Sequence, residues 1–200
     1  MKRFILTGAP GSGKTSILHA LRDRGYPVIA EAATEVIALE QAQGNDQPWN
    51  EPQFADKIVE LQRSRQRQPV AAGTSVQIYD RSPVCTLALA HYLAYPVSDS
   101  VAGEVDRIVR ERVYERQVFF IQPIGFIEPT AARRITQQES LKFERCHRDE
   151  YVRLGFELVE IPPGKIEERA ALIDAYISSE EVEVGTVVVP QEHDNPADDA

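Results

Sequence analysis

Eight consecutive residues, GAPGSGKT from Gly8 to Thr15, stand between an apolar β-type run, FILT, and a helical pattern, TSILHALRD. Their spacing is G-x-x-x-x-G-K-[ST], which arises by chance in on the order of 1% of chains of this size at average composition. Glycines at 8, 11 and 13 permit backbone shapes that a Cβ would block, so successive N–H groups can turn inward and form an anion nest. The helix that follows points its positive end at the same place. Such a loop fits phosphates, with Gly8, Ala9, Pro10, Gly11, Ser12, Gly13, Lys14, Thr15 and Ser16 as its lining. Lys14 reaches the β- and γ-phosphates of a nucleotide, and the Thr15 hydroxyl can ligate Mg²⁺.

A nucleotide so held needs a carboxylate on the metal side, at the end of a strand next to the loop strand. SVQIYDRSPV, Ser75 to Val84, supplies one. Asp80 ends the apolar run Val76–Tyr79, and Ser82-Pro83 reads as an N-cap followed by proline at the first helical position. Asp80 is therefore the expected second metal-side group, and Arg81 on the same corner offers planar donors to phosphate or to a bound substrate. In PVIAEAATEV, Glu31 follows Val28-Ile29-Ala30 directly. It reads either as a group that accepts a hydrogen bond or a proton from an acceptor hydroxyl, or as an acid stabilising the helix that begins at Ala32. Glu35, one turn on, has weaker positional support. Arg133 and Arg134, in FIEPTAARRITQQES, are candidates for an arginine that closes over a transferring phosphoryl group.

These residues need a frame. Short β-type runs alternate with longer helical patterns, the rhythm of an α/β fold. Strands are expected near Arg3–Thr7, Pro27–Ala30, Val76–Tyr79, Gln117–Ile121 and Phe156–Ile161. Helices are expected near Lys14–Arg24, Ala32–Gln43, Gln53–Arg67, Pro83–Ala94, Val101–Val113, Gln137–Leu154 and Ile166–Ile177. Gly25 and Gly155 read as C-terminal caps and Thr136 to Glu139 as a capping box. Val182–Val189 reads as an edge strand or a loosely docked extension. The long stretches 32–73 and 122–136 exceed simple turns and can cover a site. In open α/β sheets ligands gather beyond the carboxyl ends of the strands, which brings Glu31, Asp80 and the phosphate loop to one crevice.

Composition narrows the function. With 200 residues and 42% hydrophobic content, one domain with a real core is expected over residues 1–179, followed by an acidic, partly disordered extension over 180–200. That extension holds seven of the 31 acidic residues and none of the 22 lysines and arginines, so the rest is near neutral despite the net charge of −9. Neither the basic excess of a nucleic-acid binder nor a membrane span or signal segment is legible, and a cytoplasmic location is expected. The two cysteines, Cys85 and Cys146, lack metal-type spacing and read as ordinary, partly buried thiols. His19, His91, His147 and His193 likewise read as structural or solvated.

Together, GAPGSGKTSILHAL, VIAEAATEVI, IYDRSP, QVFFIQPI and DEYVRLGFELVEIPPGKIEERAALI resemble P-loop nucleoside and nucleotide kinases. More closely, the chain is similar to the AAA-type ATPase/kinase family that includes the ribosylnicotinamide-kinase domain of NadR, over roughly residues 2 to 178. The resemblance implies a P-loop NTPase three-layer sandwich, with a five-stranded parallel sheet, helices on both faces and a lid after the fourth strand. It also implies that Glu31 matches the acid that acts as base in deoxynucleoside kinases, although their Glu-Pro is Glu31-Ala32 here. By the same resemblance IPPGK, Ile161 to Lys165, passes near the adenine. No Asn-Lys-x-Asp guanine-reading motif is present, which favours ATP. The expected function is an ATP- and Mg²⁺-dependent kinase of a small, nucleoside-like hydroxylated metabolite, with catalytic Lys14, Glu31, Asp80 and a lid arginine. The alternative is a nucleotide-dependent switch acting through a protein partner.

Overall fold

A computed structural model describes residues 1–124 and 137–185. The strands are β1 (Lys2–Gly8), β2 (Val28–Ile29), β3 (Val76–Asp80), β4 (Gln117–Ile121) and β5 (Glu157–Ile161). The helices are α1 (Lys14–Asp23), α2 (Ala32–Ala42), α3 (Phe54–Gln66), α4 (Pro83–Tyr92), α5 (Asp99–Arg110), α6 (Gln137–Arg153) and α7 (Ile166–Gly185), with a single 3₁₀ turn at Pro48–Asn50. All strand pairs are parallel, in the order β2-β3-β1-β4-β5. The chain therefore switches sides of β1 between β3 and β4, and both neighbours deliver their carboxyl ends beside the end of β1.

Parallel strands buried on both faces send alternate side chains to opposite cores. Phe4 and Leu6 of β1, Val76 and Ile78 of β3, and Phe119 and Ile121 of β4 pack under α1 and α7, against Ile17, Leu21, Ile173 and Ile177. Ile5, Tyr79 and Val118 face the other way, toward Val84, Cys85, Ile108 and Tyr151 of α4, α5 and α6. A further layer, Ala32, Val36, Phe54 and Ile58, joins α2 to α3 outside α4. β1 is thus buried from Phe4 to Gly8, up to the loop that follows it.

Element ends follow their local chemistry. Gly25 closes α1 at φ 95°, with Gly25 N–H donating to Arg22 O (2.9 Å) and Tyr26 N–H to Leu21 O (3.2 Å). Ser82 caps α4 by accepting from Val84 N–H at 3.2 Å, ahead of Pro83. Its Oγ also lies 2.8 Å from the Tyr151 hydroxyl, which ties the start of α4 to α6. The β character read at Val182 is not realised as far as Gly185, because α7 runs on through that residue. A helix already anchored by Ile173 and Ile177 extends at little cost per residue, whereas a new edge strand must be closed from scratch. Residues 186–189, the box residue Thr136 and the lid stretch 125–136 lie outside the described residues.

Ser82→Ala removes both the cap and the tie to α6. It is expected to lower stability by about 1 kcal/mol or somewhat more, read as a lower urea midpoint with an unchanged m-value.

Candidate active site at the carboxyl edge of the sheet

The loop after β1 forms where only glycine fits. Gly8 sits at φ 144° and a Cβ there would run into the Ile121 carbonyl of β4, so the loop leaves the sheet in contact with its neighbour. Gly13 sits at φ 89° as the residue that opens α1. Between them the loop folds back on itself, with Ser12 N–H donating to Ala9 O at 3.2 Å. Lys14 is buried and bends across this loop, donating to Gly8 O (3.1 Å) and Ala9 O (3.2 Å). Burial, then the charge of Arg81, pushes the Lys14 ammonium down to about 7, against the pull of Asp80 and Glu31. A site that disfavours its own cation to this degree is short of negative charge, and phosphates supply it.

Asp80 ends β3 at the level of Leu6 in β1. Burial raises its carboxyl to about 6, Arg81 and Lys14 oppose the rise, and Glu31 adds to it. Its Oδ1 is buried with no hydrogen-bond partner among the described residues. A desolvated carboxylate oxygen left without a donor fits a cation, and the exposed Thr15 side chain at the start of α1 fits the same role. Thr15 and Asp80 are thus the residues whose chemistry suits Mg²⁺.

Arg81 adopts a left-handed backbone, φ 67°, which costs a non-glycine residue about 1 kcal/mol or more. Two contacts hold it there: its N–H donates to Leu6 O at 3.0 Å, and its guanidinium pairs with Glu31, Nε to Oε1, at 2.5 Å. Glu31 is the residue that opens α2, where its charge also suits the helix N-terminus, and it makes no side-chain capping bond. Its other oxygen accepts from Thr34 Oγ1 at 3.0 Å. Burial would raise the Glu31 carboxyl, but Arg81, Lys14 and Thr34 together hold it below its ordinary value. Glu35 turns instead to Arg65, whose Nη1 also donates to Ala30 O at 2.6 Å, so α3 secures the end of β2.

Beside this pair opens a small cleft of about 60 Å³, with Glu31, Arg81, Gln62, Cys85, Phe143 and His147 on its walls. Four of these six, Gln62, Cys85, Phe143 and His147, carry no signal in the sequence. Gln62 Oε1 is engaged by the Thr86 hydroxyl at 3.0 Å, which leaves its amide nitrogen as a donor. His147, read from the sequence as structural or solvated, is buried on this wall with Nδ1 against Phe143 O at 2.9 Å. Cys85 departs from the ordinary thiol expected of it. Its sulfur lies 3.3 Å from Thr7 Oγ1 and 3.1 Å from the Tyr151 hydroxyl. Burial opposes a thiolate, but the neighbouring His147, then Arg81 and the Thr7 hydroxyl, bring it down to about 6 from 9.0. Burial and the neighbouring Cys85 raise the Tyr151 phenol well above its usual value, so it stays neutral. Trp49, within the 32–73 stretch, is not among the residues lining the cleft. Arg133 and Arg134 lie outside the described residues.

A glycine loop on the central strand of a β2-β3-β1-β4-β5 parallel sheet, with an acid ending the adjacent strand, defines a P-loop nucleotide-binding protein. The chain belongs to the AAA domain family, whose model it matches over residues 3–169. No curated protein sequence matches it significantly. Among solved structures it is similar to the NadR protein in complex with NR (17% identity, TM-score 0.65), covering 96% of this chain and 54% of that one. It is also similar to shikimate kinase from Acinetobacter baumannii in complex with shikimate (14%, TM-score 0.59, 91% and 96% covered) and to deoxyadenosine kinase from M. mycoides (14%, TM-score 0.56, 89% and 99%). At these identities the likeness establishes the P-loop kinase fold. The chain spans about half of the NadR protein. Among the described residues no helix is long and apolar enough to cross a membrane.

The two thiols should separate by pH. With alkylation by iodoacetamide followed by mass spectrometry, the Cys85 rate is expected to rise with a midpoint near 6. Cys146, raised by burial and then by Glu150 and Asp149, should follow only above the ordinary thiol range. Cys146 reacting at the lower pH would contradict the arrangement around Cys85.

Proposed function

We propose that this protein is an ATP- and Mg²⁺-dependent phosphotransferase that moves the γ-phosphoryl group onto a hydroxyl of a small, nucleoside-like acceptor. One observation carries the reading: the cleft and the phosphate loop share their charges. Glu31 and Arg81 line the cleft, and both act electrostatically on Lys14 in the loop. A nucleotide on the loop and an acceptor in the cleft would then meet over one set of groups. The similar solved structures of shikimate and deoxyadenosine kinases support small hydroxylated acceptors, and the cleft's apolar wall of Ile58, Leu89 and Phe143 suits a flat ring.

In this reading the nest of Gly8 to Ser16 binds the phosphates and Lys14 follows the charge that builds on the transferring group. Held by Thr15 and Asp80, Mg²⁺ neutralises phosphate charge when bound. Glu31 aligns the acceptor hydroxyl. Its depressed pKa makes it a better orienting acceptor early than a strong base, so the proton reaches it late, as the new P–O bond forms and the bond to the β-phosphate oxygen breaks. Arg81 keeps Glu31 in place and presents Nη1, buried and without a partner among the described residues, to the acceptor or the phosphate. Arg133 and Arg134 are candidates for closing over the phosphoryl group. Burial of Lys14 and Asp80 keeps water from competing as an acceptor.

The test is ATP turnover against a library of nucleosides, sugars and hydroxy acids, with products read by mass spectrometry. Acceptor-dependent ADP formation is expected, with Glu31→Gln lowering kcat by about 10²–10⁴-fold and Lys14→Met abolishing turnover. Slow hydrolysis alone, indifferent to every acceptor and unchanged in Glu31→Gln, would favour a nucleotide-dependent switch acting through a protein partner.

A further inference from the structure

Arg169, three residues into α7, is only 1% exposed and ranks among the largest fully buried side chains of the protein. Nothing in its sequence context marks it out. Buried arginines are ordinarily paired with a carboxylate, because an unpaired guanidinium loses its hydration with no return. Arg169 instead spends its donors on three backbone carbonyls. Nη1 donates to Ser12 O at 2.7 Å, and Nη2 to Gln122 O at 2.6 Å and, at the limit of hydrogen bonding, to Ile161 O at 3.5 Å. Its Nε has no hydrogen-bond partner among the described residues. Burial lowers its pKa, and no acid among the described residues pulls it back.

Those three carbonyls belong to the phosphate loop after β1, to the first residue after β4, and to the last residue of β5, all at the carboxyl edge of the sheet. The first contact has a direct geometric result. In a trans peptide the carbonyl and the following N–H point in opposite directions. Holding the Ser12 carbonyl toward α7 therefore turns the Gly13 N–H away from α7, toward the inside of the loop. The missing side chain of Gly13 is part of the same fit, since a Cβ there would lie 3.0 Å from Ile124 Cδ1 and 3.4 Å from Arg169 Nη1.

We propose that Arg169 is a positioning residue for nucleotide phosphates: its planar fork fixes the Ser12–Gly13 peptide with the N–H facing the phosphates, and its unneutralised charge is satisfied when they bind. The inference rests on the nucleotide-binding reading above and adds to it a group outside the loop that sets the loop's geometry. Because the same fork holds Gln122 and Ile161, α7 also ties the start of the stretch after β4 and the end of β5 to the phosphate loop. A lysine keeps the charge but cannot span the same fork.

Binding of ATP and of inorganic tripolyphosphate to the full chain, measured by titration calorimetry at two salt concentrations, tests this in wild type, Arg169→Met and Arg169→Lys. Tripolyphosphate isolates the phosphate contribution from that of the adenine. Both ligands are expected to bind Arg169→Met at least tenfold more weakly than wild type, with a shallower salt dependence. Arg169→Lys should recover the salt dependence but only part of the affinity. For the acceptor that turns over, KM at saturating ATP should stay within about twofold of wild type, whereas a general loss of packing would move both substrates together. Urea midpoints identify any variant that does not fold, and Arg169→Lys carries the test if Arg169→Met fails to. Wild-type affinity retained by a folded variant for both ligands would overturn the role of Arg169 and leave the nucleotide reading standing. Failure of the wild type to bind either ligand would overturn both.

Discussion

The ammonium of Lys14 is buried against two carbonyls of its own loop, and the carboxyl edge of the sheet is arranged around the cost of that burial. A lone cation there would be pushed out or neutralised. Asp80 and Glu31 draw it back, Arg81 repels it, and Glu31 in turn holds Arg81. Three parts of the chain place the four charges: Lys14 at the start of α1, Asp80 and Arg81 at the end of β3, and Glu31 between β2 and α2. The sheet order that brings β3 beside β1 is thus also what brings these charges together.

Much of this was readable from local patterns. GAPGSGKT needs only its own glycines, the strand before it and the helix after it, and Ser82-Pro83 announces the start of α4 by itself. Asp80 and Glu31 were legible because a residue that ends an apolar run in an open α/β sheet faces the ligand edge. The cleft walls were not. His147, Cys85 and Gln62 meet only because α6 and α3 pack against α4, and a histidine inside a helical pattern gives no sign of which neighbour that packing will bring. Arg169 is the extreme case, since its partners are backbone carbonyls 157, 47 and 8 residues away and leave no trace in side-chain spacing.

The β character at Val182 misled for a related reason. Alternating Val and Glu is a strand pattern, but the preceding turns of α7 are pinned to the sheet by Ile173 and Ile177. A chain already in a helix continues through residues of modest propensity more readily than it starts a new pairing. The outcome was set by what came before the segment and not by the segment itself.

β2 is only two residues long and pairs with β3 through Val28 and Ile29 alone. Glu31 therefore does not inherit its position from a long ladder, as Asp80 does from the five residues of β3. It is tethered, by Arg81 on one oxygen, by Thr34 on the other, and by Arg65 through the Ala30 carbonyl. A group on tethers is compliant where a group on a ladder is stiff. The edge of the sheet thus holds its two acids by different means, Asp80 by backbone pairing along a strand and Glu31 by side-chain contacts.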